Sequence, residues 1–135
     1  MVKVIAGVKG TGKTKTLIEL VNASASASMG SVICIEQGDK LNFDISHKAR
    51  LIDTQSFFVE DANALYGFIA GIAASNHDIT EIFVDSALKI CKNDLDAFER
   101  FVTEINGLSE KCGFNCIMTA SVATESCSEL LRKFF

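Results

Sequence analysis

Residues 7–14 read GVKGTGKT and match the pattern G-x-x-x-x-G-K-[ST] at every fixed position. With glycine near 7% of ordinary sequence, chance meets this pattern with a probability on the order of 10⁻⁵ per position. The flanks sharpen the constraint. Val2-Lys3-Val4-Ile5-Ala6 is a short β-branched run suited to a buried strand, and Leu17, Ile18, Leu20 and Val21 follow at positions that suit a helix. The chain therefore has to open as a strand, a glycine loop and a helix.

That order has a chemical use. Gly7, Gly10 and Gly12 let the backbone turn with no Cβ in the way, so that successive N–H groups converge on a phosphate at the positive end of the helix. Lys13 is placed to bridge terminal phosphates, and the Thr14 hydroxyl to meet a magnesium ion, which takes oxygen ligands and keeps several waters. Val8, Lys9, Thr11 and Lys15 complete the nucleotide-binding stretch, with Lys9 read as an exposed cation that adds to the phosphate field. A plain βα turn has no use for three glycines, a lysine and a threonine in this order. These residues resemble the Walker A loop of the P-loop nucleoside-triphosphatases, and the resemblance implies ATP and Mg2+ as cofactors.

Composition bounds the rest. At 135 residues and 48% apolar content the chain is expected to form one domain, 1–135, around a sizeable core. A net charge of −4 argues against a nucleic-acid binder held by a broad basic face, while leaving room for a local patch. Cys34, Cys91, Cys112, Cys116 and Cys127 are odd in number and scattered, without a C-x-x-C pair, which suits reduced, mostly buried thiols in a cytoplasmic protein. Cys112 and Cys116 are spaced C-x₃-C, yet His47 and His77 lie in distant stretches, so zinc is a poor expectation. No apolar run reaches the roughly 18 residues of a membrane span, and the opening strand and glycine loop do not read as a signal peptide.

Along the chain, the first helix is expected to fray near Asn22, where the Ala-Ser alternation of residues 23–28 offers no apolar stripe and reads as a weak helix end or a mobile loop. Residues 31–35 (SVICI) carry no charge and suit a strand covered on both faces, ending at Glu36. Residues 50–53 suit a short edge strand. Asp61 is a plausible N-cap for a second helix carrying Leu65, Phe68, Ile69 and Ile72. TEIFVD at 80–85 reads as the third core strand. Asp94 caps a third helix with Phe98, Phe101, Val102, Ile105 and Leu108 on one stripe, ended near Gly113. NCIMT at 115–119 is the fourth core strand, and residues 124–135 are expected to form a short last helix. Strands alternating with helices imply an α/β three-layer sandwich with a mainly parallel sheet, in which ligands sit at the carboxyl ends of the strands.

That rule gathers the loop at Gly7, Glu36, Asp85 and the stretch from Thr119 to Ser121. Asp85 closes an apolar strand as in the Walker B element, where the carboxylate holds the magnesium ion beside Thr14. VICIEQ at 32–37, FVDSALKI at 83–90 and CIMTASV at 116–122 resemble the RecA-like branch of the P-loop fold, reduced here to a minimal core. The resemblance implies that Glu36 and Lys13 are catalytic, Glu36 as the base for an attacking water. It also implies that Thr119 or Ser121 senses the terminal phosphate. Because Glu36 follows the second strand and Ser86, not an acid, follows Asp85, residues 115–119 are expected to insert between the first strand and the Asp85 strand.

Three function classes follow. The first is a Mg-dependent ATPase, completed by self-association or a protein partner that supplies an arginine, Arg50, Arg100 and Arg132 being the internal sources. The second is a nucleotide-dependent regulatory module with little or no turnover. The third is a small kinase, which usually carries an arginine-rich lid that this chain lacks. No N-K-x-D sequence is present, so ATP is favoured over GTP by elimination.

Overall fold

The computed structural model describes residues 1–135. Five strands form one all-parallel sheet: β1 (Val2–Gly7), β2 (Ser31–Glu36), β3 (Ala49–Asp53), β4 (Ile79–Val84) and β5 (Asn115–Ser121), in the order β1-β5-β4-β2-β3. β5 thus lies between β1 and β4, as the position of Glu36 led us to expect. The helices are α1 (Lys13–Ala27), α2 (Ala62–Ser75), α3 (Ala87–Ile90), α4 (Leu95–Cys112) and α5 (Glu129–Arg132).

Side chains alternate across a strand, so each apolar run feeds two cores. Val32 and Cys34 of β2 and Phe83 of β4 pack with Leu17, Val21 and Ala25 of α1. Their neighbours Ile33, Ile35, Ile82 and Val84, with Cys116 and Met118 of β5, pack on the other face against Leu65 and Ile69 of α2 and Phe98, Val102 and Ile105 of α4. Helices therefore flank both faces of the sheet. Full burial of side chains such as Phe83 and Ile105 stabilises by about 1.5–3 kcal/mol each. No helix is long and apolar enough to cross a membrane.

The helix signals act as the residues suggest. Asp61 Oδ1 accepts the Ala64 N–H at 2.8 Å and Asp94 Oδ1 accepts that of Ala97 at 3.1 Å, each cap contributing about 1 kcal/mol. Gly113 closes α4 in the left-handed conformation.

Two expectations are corrected, and one helix was not anticipated. α1 does not fray at Asn22 but runs through the Ala-Ser stretch to Ala27. Alanine is the best helix former, and Ala25, four residues after Val21, is buried in the α1-side core. The last segment is not one helix: a 3₁₀ turn over Thr124–Ser126 is followed by the single turn of α5, because the Ser128 hydroxyl accepts the Leu131 N–H and restarts the chain. Finally α3, which the sequence did not announce, follows Asp85 directly.

Candidate functional site

The same alternation that builds the cores places the polar residues. Counting on from Cys34, Phe83 and Ile117, which all pack on the α1 side, brings Glu36, Asp85 and Thr119 to that face at the carboxyl edge of the sheet. The β1–β5 register sets Ser121 opposite Gly7, so β5 delivers its polar tip to the glycine loop. α1 opens on the same side. Gly10 and Gly12 sit at φ 87° and 82°, left-handed values that most side chains resist, and Gly12 precedes α1 without any side-chain cap. The first N–H groups of α1 are thus left without a side-chain acceptor and point where an anion is favoured.

These segments surround a cavity of about 590 Å³, within the range of small-molecule sites. Gly10, Gly12, Lys13, Thr14, Asp85, Thr119 and Ser121 all line it. Lys9 and Lys15 line it too, while Val8 contributes an exposed side chain and a carbonyl that accepts from Thr11 Oγ1 at 2.8 Å and Lys13 Nζ at 2.9 Å. Gly7 ends β1, and a Cβ there would stand 3.0 Å from Thr11 Oγ1. A second hollow near Asp61, Cys91 and Arg100 measures only about 150 Å³, too small for a nucleotide-sized ligand.

Asp85 is the hub of a hydrogen-bonded chain. Thr14 Oγ1 donates to its Oδ1 at 3.1 Å, and Thr119 Oγ1 donates to the same oxygen at 2.8 Å. The Ser86 N–H in turn donates to Thr119 Oγ1 at 2.7 Å, which helps hold Ser86 in a left-handed conformation at φ 55°. Thr14 and Asp85 therefore stand together, 71 residues apart in sequence. Thr119 is buried with its hydroxyl engaged on both sides. Ser121 is exposed at the cavity.

Glu36 stands apart from the cavity wall. It is only 3% exposed, and its Oε2 accepts the Leu41 N–H at 3.1 Å, tying the end of β2 to the loop that follows. Burial raises its pKa above the ordinary 4.5; the Leu41 and Lys40 N–H groups oppose that rise, and the nearby Asp85 and Asp53 carboxylates add to it. It is therefore neither a solvated strand-end glutamate nor a freely presented base. Asp53, paired with Glu36 in the β2–β3 register, behaves oppositely. Desolvation pushes it up, but N–H groups of Gly38 and Gln55 and the Ser56 hydroxyl together hold its carboxyl below the usual value.

All five cysteines are free, and Cys112 alone is exposed. Burial pushes the Cys34, Cys91 and Cys116 thiols up to about 12, so they pack as neutral side chains. The arginines lie elsewhere: Arg50 on β3, Arg100 at the smaller hollow, and Arg132 with its Nε donating to the Cys127 carbonyl at 3.1 Å. Five cavity residues were not read as site residues from the sequence, Lys40, Leu41, Ser86, Lys89 and Asn93. No local signal marks the two lysines, because each reaches the site only through the fold. Neither the protein-family models nor the curated proteins compared with this sequence match it.

Proposed function

We propose that this chain is an ATP-binding protein of the P-loop class, with the RecA-like strand arrangement, that acts as a Mg-dependent ATPase on the terminal phosphate. The observation that carries the reading is the meeting of the glycine loop, the start of α1 and the Thr14–Asp85 pair in one cavity of nucleotide size. Loop N–H groups and the first turn of α1 take the phosphates. Lys13, now bonded to the Val8 carbonyl, exchanges that partner for a phosphate oxygen.

Thr14 and Asp85 fit a magnesium ion that arrives with the nucleotide, since one hydroxyl and one carboxylate are too few for a resident metal but suit an ion that keeps its waters. Such an ion would neutralise charge on the last phosphates. Thr119 positions Asp85, and Ser121 is the β5 residue left free to touch a phosphate. Glu36, the acid that ends β2, is the base of the hydrolytic reading.

One observation favours a second reading. Glu36 is buried and holds Leu41, so bound nucleotide could instead be reported through the loop after β2, with little turnover. The test of the main reading is a crystal structure with a non-hydrolysable ATP analogue and magnesium. Phosphates along residues 7–14 are expected; a ligand seated away from that loop contradicts the assignment.

A further inference from the structure

The cavity carries more positive charge than its glycine loop requires. Five of the chain's ten lysines line it, Lys9, Lys13, Lys15, Lys40 and Lys89, against one carboxylate, Asp85, in a protein of net charge −4. Three come from the loop and the first turn of α1. The other two come from separate segments, and the fold fixes both. Lys40 precedes Leu41, whose N–H is held by Glu36 and whose side chain is buried against the α1-side core. Lys89 belongs to α3, in which Ala87, Leu88 and Ile90 are buried and Lys89 alone is exposed. The turn that starts α3 is itself anchored, through the Ser86 N–H on Thr119.

Their side of the cavity matters. Lys89 follows β4 and Lys40 follows β2, the next two strands after β5 as the sheet is crossed from the glycine loop. Asp85, at the end of β4, marks the side on which the phosphate-bound metal would sit, and the terminal phosphate belongs there. No arginine lines the cavity.

We propose that Lys40 and Lys89 bind the terminal phosphate in cis, so that one chain distinguishes a nucleoside triphosphate from a diphosphate without an arginine from a neighbour. This deepens the nucleotide reading above and rests on it. It holds whether or not the phosphate is then cleaved. Lys40 also lies next to the Glu36–Leu41 contact, so the same ammonium that meets the terminal phosphate is attached to the loop that a partner would read.

The test measures affinities for a non-hydrolysable ATP analogue and for ADP, both with magnesium, on wild type, Lys40→Ala, Lys89→Ala, Lys89→Arg and Lys48→Ala. Lys48 is an exposed lysine outside the cavity and serves as the charge-matched control. Each alanine variant at Lys40 or Lys89 is expected to lose about 10- to 100-fold in affinity for the triphosphate while leaving ADP affinity within about threefold, the scale of one charge-assisted hydrogen bond. Lys89→Arg retains most of the discrimination, Lys48→Ala all of it, and the wild-type ratio does not change with protein concentration. Equal losses for both nucleotides, no loss for either, or a ratio that rises with protein concentration would overturn the proposal while leaving the nucleotide site standing. Failure of the wild type to bind either nucleotide removes the site itself, and the proposal with it. Apo-state melting of every variant separates lost binding from lost folding.

Discussion

Thr119 Oγ1 lies 2.8 Å from Asp85 Oδ1 and accepts the Ser86 N–H at 2.7 Å, so one buried hydroxyl fixes both the acid that ends β4 and the turn that starts α3. Thr119→Val keeps the volume and removes the hydroxyl, leaving the Ser86 N–H without its acceptor and Asp85 Oδ1 with the longer Thr14 hydrogen bond alone. The expected cost is about 1–3 kcal/mol, with Thr119→Ser retaining most of the stability. Urea unfolding measures it. A valine variant with the wild-type midpoint would show that the network stabilises nothing.

Asp85 faces the metal side of the proposed site, and Asp85→Asn tests that placement. The amide keeps the shape and one acceptor but loses the charge that favours a cation. Nucleotide affinity should fall in the presence of magnesium and change little in its absence. Equal losses under both conditions would mean that Asp85 supports the pocket and not the ion.

Glu36 makes two separable predictions. Its pKa is raised in the fold, chiefly by burial, so the folded state holds the proton more tightly than the unfolded chain does. The stability it contributes is complete below the ordinary value of 4.5 and is lost as pH rises through the higher folded value. Asp53 runs the other way, losing its contribution as pH falls through its lowered value. The difference between wild type and Glu36→Gln isolates the first effect. Wild type should weaken relative to the variant as pH rises through that window, and parallel stability curves would refute the shift.

The second prediction for Glu36 concerns turnover. General-base assistance is worth about 10²–10⁴-fold, so Glu36→Gln should slow ATP hydrolysis by that order with nucleotide affinity nearly unchanged. Equal measurable rates remove Glu36 as the base. If neither protein turns over while both bind, the regulatory reading is the right one.

Much of this arrangement was legible in the residues. Apolar runs ending at Glu36 and Asp85 mark strands buried on both faces, and the GVKGTGKT stretch fixes where α1 begins. The placement of β5 beside β1 was expected from the acid after β2 and its absence after Asp85. The misses have physical causes. Ala25 is too small to announce a stripe yet is buried on the core-facing side of α1. The four residues of α3 are too few to show a helical period, although three are buried. Lys40 and Lys89 carry no local pattern at all, and Thr119, expected at the strand tip as a candidate phosphate sensor, is engaged on Asp85 and Ser86 instead. Their roles arise from contacts such as Thr119–Asp85, 34 residues apart, which only the parallel register brings together.

The central claim is that residues 7–14 hold a nucleotide, and a thermal-shift titration with ATP and magnesium tests it most directly. At about 100 times Kd the ligand should stabilise the fold by about 2.7 kcal/mol, a visible rise in Tm for a domain of this size. Lys13→Ala should abolish most of that gain while melting near wild type in the absence of ligand, because Lys13 Nζ contacts only the exposed Val8 carbonyl. A wild-type Tm unmoved by saturating nucleotide, or a gain that Lys13→Ala leaves intact, would contradict the account.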